Sequence, residues 1–428
     1  MLFIPEIVSL PFDRNMLLCG AGLAGAAGLA SVFTHEYQDG EQRPEDVDLG
    51  ALQSRVAELE KMPTRSLEQN DELAALYSIW ATILFSQGAD MDESAAMFGK
   101  AEAVFKATLA QGDDVEVRRQ LGGVYLAWAV ALNDYDALEE AIDRYLKGIE
   151  ILKPLDESGD GEAKYETAGM KLNLGIVYRE LGDFEKAKAT LEEAFIAYRA
   201  VEKIGAMFDT RFYMAKVSVQ QGNLLYEMGE ATDQIVDSYN RAMRMYVEVI
   251  EDEGRTDLER DLANVLMDRC MVIYENCLNQ KFDSDEERDK AVEGVLVDIG
   301  RGLELLETQY KNGLEEARYD MFHGLMLQGK IFCSIEKYAE AKISLDRTIN
   351  EFSDLCDGED DVFMMQMANA YCDRAVVHLG LGNAAQSKQD CQKGSELISA
   401  LLQSPDNDGD EAIQELKQQF QTLLEQLG

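Results

Sequence analysis

The stretch 171–194, KLNLGIVYRELGDFEKAKATLEEA, constrains the fold of this chain more than any other. Its apolar residues recur at the three- and four-residue spacing of a helix, first before and then after the pair Gly182-Asp183. Glycine and aspartate together break a helix, so the stretch predicts two helices joined by a tight turn. Small residues let the two backbones approach, and larger ones fill the space beside them. The residues predicted to pack are Leu174, Gly175, Tyr178, Ala187, Leu191 and Ala194.

The same pattern returns along the chain. Gly175 precedes Ala187 by twelve residues, and Gly329 precedes Ala341 by the same step. Five further copies match less closely, and the anchor residues of all seven lie roughly 41 to 58 positions apart. These anchors are Ala81, Gly122, Gly175, Gly222, Met271, Gly329 and Ala375, and Tyr125 accompanies the second of them.

This helix–turn–helix unit resembles the tetratricopeptide repeat, whose two helices stack on those of neighbouring repeats to form a solenoid. The standard repeat has 34 residues. The longer spacing here implies helices that are one or two turns longer, as in the long-helix variants found in some adaptor proteins. The resemblance covers about residues 68–403. It implies an all-α protein, an α-solenoid of about seven such repeats with a C-terminal capping helix.

Composition favours the same fold. Only one proline, Pro154, occurs between residues 64 and 403, and proline is the residue that helices tolerate least. No useful run of alternating polar and apolar residues indicates a strand. Because each repeat in a solenoid contacts only its neighbours, we expect one elongated helical body. Its predicted segments are 1–33 (apolar), 34–67 (acidic linker and short helix), 68–403 (repeats) and 404–428 (acidic loop and capping helix).

Charge limits the class of partner. The chain has 81 acidic and 40 basic side chains, a formal net charge of −41. Such a surface repels nucleic-acid phosphates and anionic lipids, so we predict no nucleic-acid binding. The charge is typical of a solvated surface that keeps a long protein soluble, and it would also attract a basic protein or peptide partner.

No catalytic or metal-binding motif is recognisable, which predicts a protein that is not an enzyme and that needs no cofactor or metal. The seven cysteines are scattered without a C-x-x-C pair, and there are three histidines. Free thiols in a reducing compartment are the preferred interpretation. Residues 404–415 partly fit a calcium loop, but an acidic linker before a capping helix fits them better.

The apolar run 16–33, MLLCGAGLAGAAGLASVF, allows three interpretations. A GxGxxG phosphate loop lacks the strands and the acidic residue that it needs. An export signal or membrane anchor would suit the length and apolarity of the run. A packed helix of small residues is the third. We expect a cytoplasmic protein, and membrane contact only if this run is an anchor.

The resemblance implies that partners bind in the concave groove lined by the first helix of each repeat. Aligning the repeats on their anchors places seven polar or aromatic side chains at groove-facing positions. These are Arg119, Asn173, Lys216, Asn223, Tyr226, Arg269 and Lys330. Three of them, Arg119, Asn173 and Lys216, also match positions used by tetratricopeptide domains that clamp the C-terminal carboxylate of chaperones. The alternative is that all seven are ordinary polar residues on a solvated face.

The sequence therefore predicts a non-enzymatic scaffold or adaptor that holds a peptide, helix or partner domain in the groove. The alternative is an exported or membrane-anchored, envelope-associated repeat protein that acts in secretion or surface assembly.

Overall fold

The computed structural model describes residues 48–205, 209–279, 285–353, 361–403 and 410–428, and its regular structure there is entirely helical. The apolar run 16–33 and residues 404–409 of the calcium-like stretch lie outside the described residues. The helices are α1 (Leu49–Glu60), α2 (Leu67–Ser86), α3 (Met91–Leu109), α4 (Val115–Asp134), α5 (Leu138–Glu157), α6 (Gly161–Glu180), α7 (Phe184–Ile204), α8 (Thr210–Glu227), α9 (Thr232–Glu253), α10 (Glu259–Asn279), α11 (Asp285–Lys311), α12 (Glu316–Ser334), α13 (Tyr338–Phe352), α14 (Asp361–Gly380), α15 (Ala384–Leu401) and α16 (Glu411–Leu427), with a 3₁₀ turn at Thr256–Leu258.

The helices follow the order that the repeats predict, which confirms the all-α solenoid class. Seven successive pairs run from α2–α3 to α14–α15, and α16 follows them. Each of the seven anchor residues falls in the first helix of its pair. The paired helices are 15 to 27 residues long, which accounts for repeats longer than the 34-residue standard.

The chain divides into two compact units between Glu230 and Ala231. The described part of the first unit holds α1 to α8, and the second unit holds α9 to α16. Each unit buries its own hydrophobic core, which runs from Leu52 to Val177 in the first unit and from Ala263 to Leu423 in the second. The repeat pattern of the sequence continues across this boundary, from the anchor Gly222 to the anchor Met271.

The turn inside a pair repeats with the same backbone geometry. The residue at its centre adopts a left-handed conformation with φ between 59° and 75° in all six pairs whose turn the structure describes. Glycine accepts this conformation without steric cost, and two pairs use a residue with a side chain instead. The six residues are Gly88, Asp136, Gly182, Gly229, Glu336 and Gly382.

Glycine anchors allow the two helices of a pair to touch. A Cβ atom on Gly175 would lie 2.7 Å from Cγ of Leu191, and one on Gly329 would lie 2.8 Å from Cγ of Leu345. A Cβ on Gly122 would meet Leu152 at 2.9 Å. Of the other residues predicted to pack, most are buried and Tyr178 is half-buried. The buried ones are Ala81, Tyr125, Leu174, Ala187, Leu191, Ala194, Gly222, Ala341 and Ala375.

Helix α16 covers the end of the second unit by packing on α14 and α15. Asp410 begins it, since its carboxylate accepts a hydrogen bond from the backbone N–H of Ile413 at 3.0 Å. The buried side of the helix consists of Ile413, Leu416, Phe420 and Leu423. Within the described ranges, no helix combines the length and apolarity needed to cross a bilayer.

Candidate functional site

A cleft opens on the surface formed by the first helices of three successive pairs in the second unit. Helix α12 contacts both α10 and α14, so the three helices present adjacent faces. The cleft encloses about 30 Å³, enough for the tip of a small side chain or one to two water molecules. Apolar side chains and a few polar ones line it, namely Met271 and Tyr274 of α10, Phe322, His323, Met326, Leu327 and Lys330 of α12, and Gln366 and Asn369 of α14.

The polar side chains of this cleft come from α12 and α14. The side-chain oxygen Oε1 of Gln366 is buried and accepts no hydrogen bond from the described residues. Asn369 donates from Nδ2 to the carbonyl of Met365 at 3.1 Å. At the end of the cleft, Nζ of Lys330 lies 3.8 Å from Oδ2 of Asp373. Burial raises the pKa of Asp373, and the ammonium group of Lys330 opposes that effect.

Two further carboxylates, on α10 and α12, lie one helical turn N-terminal to residues that line the cleft. Asp268 precedes Met271 on α10 by three residues, and Asp320 precedes His323 on α12 by the same step. Asp320 is 4% exposed and accepts hydrogen bonds from Nε of Arg260 at 2.6 Å and Nδ2 of Asn264 at 3.3 Å.

Asp268 is half-buried and makes no hydrogen bond or ion pair with any described residue. Burial, and secondarily the charge of Asp320, raises the pKa of Asp268 to about 7. A carboxylate that is desolvated and lacks a partner costs free energy, and such groups gather at binding sites.

The predicted groove residues of the second unit separate into two environments. Lys330 lines the cleft. Arg269 binds residues of other helices, since its guanidinium donates to Asp298 of α11 at 2.5 Å and to Asn240 of α9 at 2.8 Å. Arg269 therefore joins a first helix to second helices rather than lining the cleft.

In the first unit, Arg119 of α4 is surrounded by carboxylates of its own chain. Its guanidinium lies 2.5 Å from Asp160, 3.1 Å from Glu162 and 3.7 Å from Glu116. These carboxylates would repel the carboxylate of a partner, so the geometry does not favour a clamp at Arg119.

The other predicted groove residues of the first unit are mostly enclosed. Asn173 is 3% exposed and lies beside the hydroxyl group of the buried Tyr145. Asn223 is 2% exposed, and Tyr226 is half-buried. Lys216 is also half-buried, with Nζ 4.6 Å from the centre of the Phe212 ring, a cation–π distance. The structure thus gathers no two of these residues around one described cleft.

Four cysteines in the described part of the chain are free thiols, namely Cys270, Cys333, Cys372 and Cys391. Burial raises the pKa of Cys270 to about 12 and that of Cys333 to about 11. Such thiols stay protonated at neutral pH and are poor nucleophiles. No three His, Cys, Asp or Glu side chains of the described ranges cluster in a way that could hold a metal ion.

The chain is similar in part to known families and structures. Residues 168–195, which contain the anchor Gly175, match the tetratricopeptide repeat family. The crystal structure of the apo form of RapI has 12% sequence identity to this chain, covers 96% of it and 98% of RapI, and gives a TM-score of 0.51.

A second similar structure is a signal-transduction ATPase with numerous domains and a tetratricopeptide repeat sensor, from Pyrococcus horikoshii. It has 14% identity, covers 92% of this chain and 51% of that one, and gives a TM-score of 0.50. The chain therefore spans about half the length of that ATPase. No curated protein matches the sequence significantly. At these identities, the likeness establishes a tetratricopeptide-type helical fold and nothing further.

Proposed function

We propose that the chain is a non-enzymatic scaffold that holds a protein partner on the first-helix surfaces of its repeats. The observation that carries the proposal is the cleft across α10, α12 and α14, where an apolar floor is combined with a few polar groups. Binding sites for extended or helical segments have this composition. Helical repeats also present their first helices as a continuous binding face.

The partner is a peptide, a helix or an exposed segment of a folded domain. The net charge of −41 favours partners with a basic surface, since opposite charges accelerate encounter. In the first unit, the half-buried Arg119, Lys216 and Tyr226 remain proposed contact residues, whereas Asn173 and Asn223 are buried and offer little surface to a partner. Lys330 holds that role in the second unit, while Arg269 supports the helices behind it.

Photo-crosslinking tests this proposal. A photoreactive amino acid at Leu327, in the cleft, is expected to capture a stoichiometric protein partner in cells. The matched control places the same group at Ile343, which is 70% exposed on the second helix α13. Adding the double substitution Met271→Glu with Gln366→Glu to the chain that carries the crosslinker at position 327 should abolish capture, because both residues line the cleft, while circular dichroism confirms that the variant stays helical. Equal capture from Ile343 and Leu327, or capture that survives the double substitution, would contradict the proposal.

A further inference from the structure

The cleft of the second unit has an asymmetry that bears on what it binds. The end near Lys330 is locally neutral, because Asp373 lies opposite the lysine. The end near Met271 carries two carboxylates, Asp268 and Asp320. Arg260 neutralises Asp320 through a 2.6 Å hydrogen bond, and no cation does the same for Asp268.

On this basis, and resting on the proposed function, we propose that the cleft recognises a segment in which a lysine or arginine lies close to an aliphatic side chain. The cation binds the carboxylate of Asp268, and the aliphatic side chain enters the cleft beside Met271.

The position of Asp268 beside the cleft supports its assignment as the residue that binds the cation. Residues three apart on a helix lie on the same face, so Asp268 and Met271 are adjacent on the surface that α10 presents to α12. A side chain in the cleft therefore places the neighbouring residues of its own segment within reach of Asp268. The interaction energy between a cation and this carboxylate is larger than at an exposed site, because burial lowers the local dielectric constant.

The state of Asp268 supports the same conclusion. Its pKa of about 7 shows that the folded protein provides little compensation for the negative charge. A bound guanidinium or ammonium group would supply that compensation, along with the hydrogen bonds that the carboxylate lacks. A bound carboxylate would add a third negative charge beside Asp268 and Asp320 and is therefore disfavoured.

The apolar part of the cleft suits an aliphatic side chain. Met271, Met326 and Leu327 offer flexible side chains, and thioethers adapt their shape to a bound group. The space of about 30 Å³ accommodates the tip of a leucine or methionine after a small rearrangement. A larger aromatic ring would require the helices themselves to move apart.

Peptide selection followed by a double-mutant cycle tests the proposal. A random 12-residue peptide library is selected on the immobilised full-length chain, and the tightest binder is measured by fluorescence anisotropy. We expect enrichment of peptides with lysine or arginine within a few residues of leucine or methionine. Asp268→Asn should lower the affinity of such a peptide about tenfold. Replacing the peptide's arginine by neutral citrulline should cause a similar loss in the wild type and almost none in Asp268→Asn.

The matched control is Glu304→Gln, which removes the same charge from an exposed position on the second helix α11. It should change the affinity less than twofold. Equal losses from Glu304→Gln and Asp268→Asn would show that only the overall charge matters and would overturn the proposal. Selected peptides that lack basic residues but lose binding with Leu327→Glu would also overturn it, while leaving the scaffold function intact. Failure of both the peptide selection and the crosslinking at Leu327 would remove the scaffold function as well.

Discussion

Glu166 of α6 shows how single residues in this chain depart from their ordinary chemistry. Burial raises its pKa to about 8, and the nearby Glu162, Asp160 and Glu116 add to the effect. Arg119 acts in the opposite direction, but it also binds those neighbours. Oε2 of Glu166 has no hydrogen-bond partner among the described residues. The folded protein therefore favours the protonated form of this side chain.

The stability of the first unit should depend on pH through this residue. The unfolded chain releases the proton of Glu166 near pH 4.5, whereas the folded protein holds it up to about pH 8. Stability from this group is therefore lost as the pH rises from 4.5 to 8. Glu166→Gln removes the ionisation, so we expect it to stabilise the protein by about 1–3 kcal/mol at pH 8.5. At pH 5 it should have little effect.

Urea unfolding at pH 5 and pH 8.5 measures the difference between Glu166→Gln and the wild type. Glu192→Gln is the control, because Glu192 is an exposed residue on α7. It should shift the unfolding midpoint equally at both pH values. A Glu166→Gln effect that is independent of pH would contradict the prediction.

At the scale of elements, contact between helices depends on where small residues face large ones. Gly394 of α15 lies directly beneath Phe420 of α16, and a Cβ at Gly394 would lie only 2.0 Å from Cζ of the ring. Phe420 is 1% exposed. The docking of the capping helix therefore includes an aromatic ring that rests on the backbone of its neighbour.

Gly394→Ala should separate these two helices. We expect a loss of about 1–3 kcal/mol in the free energy of unfolding, the usual cost of overpacking. Adding Phe420→Leu should restore part of the loss, because the smaller side chain leaves room for the new methyl group. Urea unfolding, followed by circular dichroism, measures both effects.

The control for general helix propensity is Gly294→Ala on α11, where a Cβ meets no atom within 4 Å. That substitution should leave stability unchanged or increase it by up to about 1 kcal/mol. Full stability of Gly394→Ala, or a further loss on adding Phe420→Leu, would show that α16 does not depend on this contact.

At the scale of the molecule, the excess of negative charge opposes the compact state. The net charge of −41 is spread over a chain in which many acidic side chains lie exposed. Mutual repulsion is larger in a folded protein than in an expanded chain. Salt shortens the range of that repulsion to about 8 Å at physiological ionic strength.

The melting temperature should therefore rise by several degrees between about 20 mM and 300 mM NaCl. Differential scanning calorimetry measures this shift. Choline chloride at equal ionic strength is the control, since it screens charge without small metal cations. A similar rise in both salts is expected. A constant or falling melting temperature would show that the surface charges do not limit stability.

The helical repeat could be read from the sequence, because its information is local. Turn glycines such as Gly182 and small anchors such as Gly175 recur from repeat to repeat. The tight turn requires the first, and the close approach of two paired helices requires the second. The number of helix pairs, their excess length and the capping helix after Asp410 follow from the same periodicity.

The candidate site could be predicted only in part. Lys330 lines the cleft, and its role as a partner contact stays a prediction. Glu166, Asp268 and Asp373 were not singled out, because in a chain with 81 acidic residues no single carboxylate is distinctive. Their unusual pKa values depend on burial and on charges contributed by other helices.

The binding partners of Arg119 and Arg269 could not be predicted from the sequence either. Both occupy positions that the repeat pattern assigns to a groove, yet each binds carboxylates on neighbouring helices. Periodicity indicates the face of a helix on which a side chain lies, whereas its partners depend on how separate helices pack. Repeat architecture is thus a property of local spacing. The division into two units and the uncompensated charge at Asp268 depend on packing between residues distant in the chain, since burial and Coulomb interactions act through space.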